Sequence, residues 1–344
     1  MLEKPDISDD RIVSCLRDDY GISVAHLSFL PLGNDVNTAV YRVVSADGTT
    51  YFLKLRSGTF DEAIVAIPQF LSECGINEVI AALETRTRRL WTRLDAFAVI
   101  VSPFVAGHNG FAAPLSERQW MQLGSALKRL HTAAVPPCLS NHVPREAYSP
   151  HVRERVMMFQ SRVEDTSFSE RNAAKLAAFL RDRRDEISFL VERAEALGRA
   201  LQARALDQVL CHADIHAGNV LIDDTGELHL VDWDTMTFAL KERDLMFIGG
   251  GIGGNWNSSQ EEALFYRGYG ETNIDLVALT YYRYERFVQD ISEFCERLLL
   301  TNEGGADRER SLRQFVGAFE ANDVVEIAYA TDKRLRLSAG TYQP

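Results

Sequence analysis

The strongest constraint on this chain is a segment near residue 210 that joins a polar loop to two short apolar runs. The loop carries His212, Asp214 and Asn219 in the spacing His-x-Asp-x4-Asn. Residues 220–222 are apolar and are followed by Asp223, and residues 227–231 alternate between polar and apolar side chains. The sequence Asp-Thr-Gly, residues 224–226, separates the two runs. This pattern predicts a β-hairpin directly after the loop.

An acidic pair, Asp232 and Asp234, follows the second predicted strand. Because the strands of a hairpin run antiparallel, Asn219 and Asp232 are expected at the same end, where their oxygens suit Mg²⁺. The spacing from Asp214 to Asn219, with an aspartate downstream, is that of kinase catalytic loops. The segment therefore predicts a phosphoryl-transfer site in which Asp214 orients the acceptor hydroxyl and His212 supports the loop by hydrogen bonding.

A different interpretation of the same loop is a metal site on His212, Asp214 and His216, since their spacing also suits zinc ligands. No Cys/His cluster elsewhere in the sequence completes a tetrahedral site, which disfavours this alternative. The neighbouring Cys211 is expected to be a buried small residue and neither a ligand nor a nucleophile.

The N-terminal part of the chain has the pattern of a helix followed by an antiparallel sheet. An amphipathic helix begins near Asp9 and ends near Gly21, and strand-like runs follow, the last two joined by Asp47-Gly48, a strong turn signal. These runs cover residues 25–30, 39–44 and 50–55. The loop 31–37, which ends at Asn37, either folds over nucleotide phosphates or is a simple hairpin loop.

Lys54 lies within an otherwise apolar strand, where an unpaired charge would be costly. Glu62, at the start of the next predicted helix, is the expected ion-pair partner, and Glu73 is the second candidate. This pairing would match the strand-lysine and helix-glutamate pair that holds nucleotide phosphates in kinases. Pro68 is expected to interrupt the helix. The alternative is that Lys54 lies on an edge strand with its tip in solvent.

A buried strand over residues 97–102 ends at Pro103, and residues 103–107 are the expected linker between two lobes. Backbone groups at such a linker can meet the edge of an adenine ring. Ser102 lies at this edge, and because proline has no N–H, Phe104 or Val105 is the expected donor.

Most of the remaining sequence has helical patterns. Ser116-Glu-Arg-Gln119 resembles a capping box, residues 150–205 and 281–290 are helical, and the glycine run 249–254 is expected to be a flexible turn. The chain from Lys333 is expected to be disordered. The predicted division places the nucleotide-binding lobe at 1–102, the hinge at 103–107, the catalytic and substrate lobe at 108–335 and a tail at 336–344.

Composition excludes several classes of function. The net charge of −12 disfavours nucleic acid as a partner. No apolar run approaches the ~20 residues that span a bilayer, and the N-terminus lacks a signal pattern, so no membrane association is expected. Five scattered cysteines argue for a reducing cytoplasm.

Taken in order, these features resemble the aminoglycoside phosphotransferase family. Within it, the chain looks most like the spectinomycin phosphotransferases. The similarity lies in residues 211–220, 241–251, 270–275, 281–286 and 322–328 and extends nearly end to end. The resemblance implies an α+β, protein-kinase-like two-lobed fold, with an antiparallel sheet in a small N-terminal lobe and a larger, mostly helical C-terminal lobe.

The resemblance also implies ATP and Mg²⁺, with Lys54 on the phosphates, Asp214 as catalytic base, and Asn219 and Asp232 as metal ligands. The acceptor is then a hydroxyl of an aminocyclitol antibiotic, bound by a monomer or weak dimer. An amine-bearing substrate favours carboxylates and an aromatic platform. The candidates are Asp234, Glu285, Asp290, Trp256 and Tyr269.

Each of these substrate candidates has a structural alternative, such as an ion pair of Glu285 with a neighbouring arginine. Two other functions also fit the sequence. One is a kinase for a housekeeping metabolite such as a sugar amine, a choline-like alcohol or homoserine, since one fold serves many substrates. The other is a nucleotide-binding regulator without turnover.

Overall fold

A computed structural model describes most of the chain, and its residues form two compact units. Unit 1 comprises residues 1–122, 132–144 and 218–236, and unit 2 comprises residues 123–131, 145–217 and 237–344. The described residues are 4–33, 37–250, 252, 255–301, 305–320 and 323–340. The functional division predicted from the sequence, with a hinge at 103–107, stays a prediction.

Unit 1 contains a five-stranded antiparallel sheet in the order β1-β2-β3-β5-β4. The three predicted N-terminal strands and the strand before Pro103 are confirmed, each extended by one or more residues. Gly48 has φ +86°, as the predicted turn between β2 and β3 requires. The strands are β1 (Val24–Leu30), β2 (Thr38–Ser45), β3 (Thr50–Ser57), β4 (Thr92–Leu94) and β5 (Phe97–Pro103).

Alternation along β3 sends its side chains to opposite faces of the sheet. Leu53 and Leu55 are fully buried in the core with residues of β2 and β5. Lys54 lies on the other face, in register with Val40 of β2 and Ile100 of β5. Because β3 pairs on both sides, the edge-strand alternative for Lys54 is wrong.

The helices of unit 1 follow the predicted order with one correction. α1 (Asp9–Cys15) continues as a π-helical segment, Leu16–Tyr20, and ends at Gly21 with φ +75°. α2 (Ala63–Glu73) runs unbroken through Pro68, so the predicted interruption is wrong. Pro68 is the sixth residue of the helix, where its ring is buried and only one backbone hydrogen bond is lost.

A second, three-stranded sheet in unit 1 contains the hairpin predicted after Asn219. β8 (Val220–Asp223) pairs with β9 (Leu228–Leu230), and β6 (Gly107–Asn109) pairs with the other edge of β8. Gly107 is required at this edge, since a Cβ there would lie 2.0 Å from the carbonyl oxygen of Ile222. α4 (Pro137–Ser140) completes the unit.

α3 (Glu117–His131) contributes residues to both units, and the capping box predicted at its start is confirmed. The Ser116 amide donates to Gln119 Oε1 at 2.9 Å, and the Gln119 amide donates to Ser116 Oγ at 3.4 Å. The apolar positions of the helix are buried, as its periodicity predicts.

Unit 2 is mostly helical and contains one two-stranded sheet. The elements are α5 (His151–Asp165), α6 (Arg171–Asp182), α7 (Arg184–Gln202), β7 (Val209–Cys211), β10 (Thr237–Ala239), α8 (Glu242–Leu245), α9 (Ser259–Tyr269), α10 (Leu276–Cys295), α11 (Gly305–Gly317) and α12 (Val324–Gly340). The sheet pairs β7 with β10. Among the described residues α10 is the longest helix, and it packs against α5, α7 and α12.

The predicted disorder from Lys333 is wrong for residues 333–340, which belong to α12. This helix is anchored by Asp332, whose buried carboxylate accepts a hydrogen bond from Arg193 at 2.6 Å. Residues 341–344 and three positions of the glycine run, Gly251, Gly253 and Gly254, lie outside the described residues.

The α+β fold class, with a sheet near the N-terminus and a helical remainder, is confirmed. Within the described residues, every helix is too short or too polar to cross a lipid bilayer.

Candidate functional site

A cavity of about 710 Å³ lies in unit 1 against the face of the sheet that carries Lys54. Its walls come from four strands of the sheet, from α2, from the segments before β4 and after β5, and from the hairpin. Most of the lining is apolar, with a smaller set of polar groups, which is the usual composition of a small-molecule pocket. The polar side chains there include Lys54, Ser102, Asn219, Asp232 and Asp234.

Lys54 forms ion pairs with both aspartates that follow the hairpin. Its Nζ lies 2.6 Å from Asp234 Oδ2 and 3.2 Å from Asp232 Oδ1. Burial acts to lower the pKa of Lys54, but the two carboxylates outweigh it, so the pKa is raised and the side chain stays charged. Arg56, on the same face of β3, also reaches Asp234 Oδ2, at 2.5 Å.

The expected pair of Lys54 with Glu62 is not formed among the described residues. Glu62 is exposed at the N-terminus of α2, and Glu73 accepts a hydrogen bond from Gln69 of the same helix at 2.8 Å. The reason is that the Lys54 ammonium group is already paired with Asp232 and Asp234. Whether Glu62 contributes to nucleotide binding stays a prediction.

Asn219 and Asp232 lie at the same end of the hairpin, as the strand pattern predicts. The Val231 amide donates to the Asn219 carbonyl oxygen at 3.1 Å. Asp232 has φ +66°, a conformation that non-glycine residues seldom adopt. Its side chain is 52% exposed and lines the cavity. Strain of this kind is common at ligand sites.

The donor chemistry of this end of the cavity fits a divalent cation. Asn219 offers an amide oxygen and Asp232 a carboxylate, which are the hard ligands that Mg²⁺ prefers. Lys54 neutralises Asp232 in this structure, and a cation would take over that role. Asn219 and Asp232 are thus the residues that would hold the ion.

At the end of β5, the Phe104 amide donates to the Thr50 carbonyl oxygen at 3.2 Å. The Phe104 amide is one of two backbone amides predicted to donate to an adenine edge. Because it is already hydrogen-bonded, the Val105 amide is the remaining predicted donor. Ser102, Phe104 and Val105 all line the cavity.

Asn37 marks the end of the loop predicted over the phosphates. Its carbonyl oxygen accepts from the Ser57 amide at 2.8 Å, which ties the start of β2 to the end of β3. Leu32 and Gly33 line the cavity, whereas Asn34, Asp35 and Val36 lie outside the described residues. The phosphate-binding role of this loop stays a prediction.

In unit 2, the loop that follows β7 is held by a carboxylate of α8. Asp244, fully buried, accepts the amide of His212 on Oδ2 at 3.0 Å and the amide of Ala213 on Oδ1 at 2.7 Å. Ala213 has φ +68°, so these two bonds hold a strained turn directly before Asp214. The buried His212 ring lies 3.4 Å from the Asp214 amide, in line with its predicted supporting role.

Behind Asp244 lies a chain of buried polar groups. His131 Nε2 is 2.9 Å from Asp244 Oδ2, and His131 Nδ1 is 2.8 Å from the Tyr269 hydroxyl. An ionised carboxylate only accepts, so the ring donates from Nε2. Burial acts to raise the pKa of Asp244, but the bond from His131 and the backbone donors outweigh it, and the pKa is lowered.

This network disfavours the zinc alternative. Among the described residues, the one group of His, Cys and acidic side chains close enough to share an ion is His131, Cys211 and Asp244. Asp244 and both nitrogens of His131 are already hydrogen-bonded. Burial raises the pKa of the Cys211 thiol well above its ordinary value, so Cys211 is the inert buried residue expected.

Asp214 lies between an arginine and a histidine of unit 2. Arg286 Nη1, from α10, is 3.1 Å from Asp214 Oδ1, and His216 Nε2 is 3.6 Å from Oδ2. Burial acts to raise the pKa of Asp214, but Arg286 and then the histidines outweigh it, so the pKa is lowered and the group is an anion. An ionised carboxylate of this kind can accept a hydrogen bond from a hydroxyl.

The structure places the two aromatic substrate candidates in the interior of unit 2. Tyr269 is 2% exposed, stacks on Phe265 and bonds His131, and Trp256 is 4% exposed. These surroundings favour the structural alternative for both rings.

The three acidic substrate candidates all have protein partners. Glu285 is buried and accepts a hydrogen bond from Arg153 Nη1 at 2.6 Å, which favours its structural alternative. The arginine comes from α5 and not, as expected, from the helix that carries Glu285. Asp234 pairs with Lys54, and Asp290 pairs with Arg286 at 3.4 Å. The side chains of Asp234 and Asp290 are 20% and 22% exposed to solvent, so these two residues stay candidates for substrate binding.

Sequence reasoning missed Arg56, Asp244 and Arg286. Arg56 could have been found from strand alternation, since it lies two residues after Lys54. Asp244 and Arg286 carry no local signal, because their partners lie 31 or more residues away along the chain.

Comparisons with known proteins agree with this geometry. Residues 28–284 match the model of the phosphotransferase enzyme family. A solved spectinomycin phosphotransferase in complex with ADP and spectinomycin is 38% identical, with a TM-score of 0.89, over 95% of this chain and 99% of that chain. Its AMP-bound complex is 36% identical, with a TM-score of 0.85, over the same shares of the two chains.

An amicoumacin kinase in complex with AMP-PNP and Ca²⁺ shares the fold at 17% identity and a TM-score of 0.61, over 94% of each chain. Comparison of the sequence with curated proteins finds no match. The family resemblance inferred from the motifs is confirmed: the chain belongs to the phosphotransferase enzyme family.

Proposed function

We propose that the protein is an ATP-dependent O-phosphotransferase that transfers the γ-phosphoryl group to a hydroxyl of an aminocyclitol antibiotic, spectinomycin above all. The observation that carries this proposal is the match, at 38% identity and a TM-score of 0.89, to a phosphotransferase bound to ADP and spectinomycin. The net charge of −12 is favourable for a cationic substrate.

The cavity of unit 1 is the proposed nucleotide site. Its apolar walls suit a purine, the Val105 amide is the proposed donor to the adenine edge, and Lys54 is the proposed cation for the phosphates. Because Lys54 is shared by two carboxylates, we propose that it exchanges Asp232 for phosphate oxygens when nucleotide binds. Asp234 and Arg56 then keep its side chain directed into the cavity.

Asn219 and Asp232 are the proposed ligands of Mg²⁺, which when bound neutralises phosphate charge. Asp214 is proposed to accept the hydrogen bond of the acceptor hydroxyl and to take its proton. Its ionised state supports this role, since a protonated carboxyl would donate instead. Asp234 and Asp290 are the acidic candidates for the substrate amines.

The experiment that tests the proposal is ADP release from Mg-ATP with spectinomycin, with streptomycin, kanamycin and hygromycin as comparison acceptors. Release with spectinomycin alone, with a mass increase of one phosphoryl group on the antibiotic, is the expected result. Release with a sugar amine, a choline-like alcohol or homoserine, but with no antibiotic, would make the protein a metabolite kinase. Nucleotide binding without release on any acceptor would make it a regulator.

A variant pair connects the activity to the proposed residue. Asp214→Asn should lower kcat by orders of magnitude and leave the Kd for ADP within a few-fold, because the amide cannot accept the proton. Asp224→Asn, in the exposed hairpin turn, is the matched control and should keep the wild-type rate. Near-normal turnover of Asp214→Asn would contradict the assigned role.

The cytoplasm is the proposed site of the reaction. The five cysteines are all free, which suits a reducing compartment. We propose a monomer or weak dimer, which sedimentation of the purified protein would test.

A further inference from the structure

Arg286 connects Asp214 to a second carboxylate on α10. Its Nη1 lies 3.1 Å from Asp214 Oδ1, and its Nε lies 3.4 Å from Asp290 Oδ1, one helical turn further along. The three side chains are only 18–23% exposed to solvent. The result is a continuous row, Asp214–Arg286–Asp290, that is largely shielded from water.

The ionisable side chains that face this row belong to several elements of unit 2. His212 and His216 approach from the loop after β7, Arg243 from α8, and Glu293 from α10. Arg243 is itself buried and donates through Nη2 to Gln289 at 3.3 Å. Burial acts to raise the pKa of Asp214, but these groups outweigh it and lower the pKa, and Arg286 has the largest lowering effect.

The charge of Arg286 lies nearer to one oxygen of Asp214 than to the other. Arg286 engages Oδ1, while Oδ2 faces His216 at a longer distance of 3.6 Å. Both contacts of Arg286 are ion pairs without hydrogen-bond geometry, so Arg286 acts on Asp214 through its charge at short range.

We propose that Arg286 is a positioning residue of this site, which keeps Asp214 as an anion through their ion pair, and that the ion pair with Asp290 in turn holds Arg286 in place. The inference deepens the proposed function and rests on Asp214 being the residue that receives the acceptor hydroxyl. Transfer of a phosphoryl group depends mainly on positioning and charge, so a residue that fixes this carboxylate contributes to kcat without touching the nucleotide.

The decisive measurement follows the ionisation of Asp214 directly. The protein is labelled with ¹³C at aspartate carboxyl carbons, the Asp214 signal is assigned with Asp214→Asn, and the signal is titrated in wild type, Arg286→Gln, Arg286→Lys and Asp290→Asn. Because the Arg286 charge acts to lower the pKa of Asp214, its removal should raise that pKa. Arg286→Lys keeps the charge and should stay near wild type. Asp290→Asn removes a negative charge near Asp214, so it should not raise the pKa of Asp214, and its effect should be a lower kcat.

The second readout is turnover as a function of pH. In Arg286→Gln the loss of kcat should be greatest at acid pH and should diminish as the pH rises and Asp214 ionises. The Kd for ADP should not change. Arg313→Gln, which removes an exposed i,i+4 pair with Glu309 on α11, is the matched control and should leave both readouts at wild type.

Three results would overturn the inference. An unchanged Asp214 titration in Arg286→Gln would show that the pair has no influence on the carboxylate. A loss of kcat that is equal at every pH would assign Arg286 to the transferred phosphoryl group instead. A normal rate in Asp290→Asn would remove Asp290 from the row.

Failure of the proposed function is distinguishable from these results. If wild-type protein releases no ADP with any acceptor, the proposed function fails, while the titration still reports whether Arg286 controls Asp214. If Arg286→Gln does not fold, Arg286→Met removes the charge but keeps most of the apolar packing of the side chain, and it carries the same test.

Discussion

The imidazole of His131 lies 2.9 Å, through Nε2, from the fully buried carboxylate of Asp244. This contact matters because Asp244 also accepts the backbone amides of His212 and Ala213. A buried anion without a partner is strongly destabilising, so His131 stabilises the loop that carries Asp214 through Asp244.

Removal of either group behind Asp244 should destabilise the protein, but by different amounts. Tyr269→Phe loses one hydrogen bond to the His131 ring, which we expect to lower the free energy of unfolding by about 1 kcal/mol. His131→Phe leaves the Asp244 charge without its imidazole partner and should cost about 3 kcal/mol. Urea unfolding measures both, and equal effects would show that Asp244 does not depend on His131.

Lys54→Met should weaken nucleotide binding. A charge-assisted hydrogen bond contributes about 1.5–3 kcal/mol, which corresponds to roughly a 10- to 100-fold higher Kd for ADP. Calorimetric titration with Mg-ADP gives this value. Lys4→Met removes an exposed lysine that pairs with Asp9 and should bind ADP as wild type does. Equal affinity in Lys54→Met and Lys4→Met would exclude Lys54 from the phosphates.

The local features of this fold could be predicted from the sequence because their signals lie within a few residues. The hairpin after Asn219 follows from alternation and an Asp-Thr-Gly turn. The capping box at Ser116 and Gln119 follows from a spacing of three residues. The proximity of Asn219 and Asp232 follows from the hairpin alone.

The partners of Lys54 could not be predicted in this way. Asp232 and Asp234 lie 178 and 180 residues further along the chain, and nothing near Lys54 indicates them, whereas Glu62 is close in sequence. The same reason explains the wrong prediction for the C-terminal segment. α12 is anchored through Asp332 by Arg193, 139 residues earlier, so its order depends on tertiary contacts that composition does not show.

Asp232→Ala should remove the dependence of nucleotide affinity on Mg²⁺. In wild type, affinity for ADP should rise as Mg²⁺ is added, because Asp232 is a proposed ligand that would hold the ion, and the ion would neutralise phosphate charge. In the variant the response should be nearly flat, and Asp224→Ala, in the exposed turn of the same hairpin, should respond as wild type does. Titrations of ADP at several Mg²⁺ concentrations decide this, and a full response in Asp232→Ala would remove Asp232 from the metal site.

Glu170→Gln should destabilise the protein at neutral pH and lose its effect in acid. Glu170 caps α6 by accepting the amides of Asn172 at 2.9 Å and Ala173 at 2.8 Å, and it pairs with Arg308 of α11 at 2.8 Å. Burial acts to raise its pKa, but these donors outweigh it and lower the pKa to about 2.

Because the folded pKa of Glu170 is lowered, its contribution is complete above the unfolded value of roughly 4.3 and is lost as the pH falls toward 2. We therefore expect Glu170→Gln to reduce the free energy of unfolding by about 1–2 kcal/mol at pH 7, the usual effect of losing a cap. The difference from wild type should shrink below pH 4. Urea unfolding across this range is the measurement, with Glu192→Gln on the exposed face of α7 as control. A constant difference down to pH 3 would mean that the glutamine caps less well for reasons unrelated to charge.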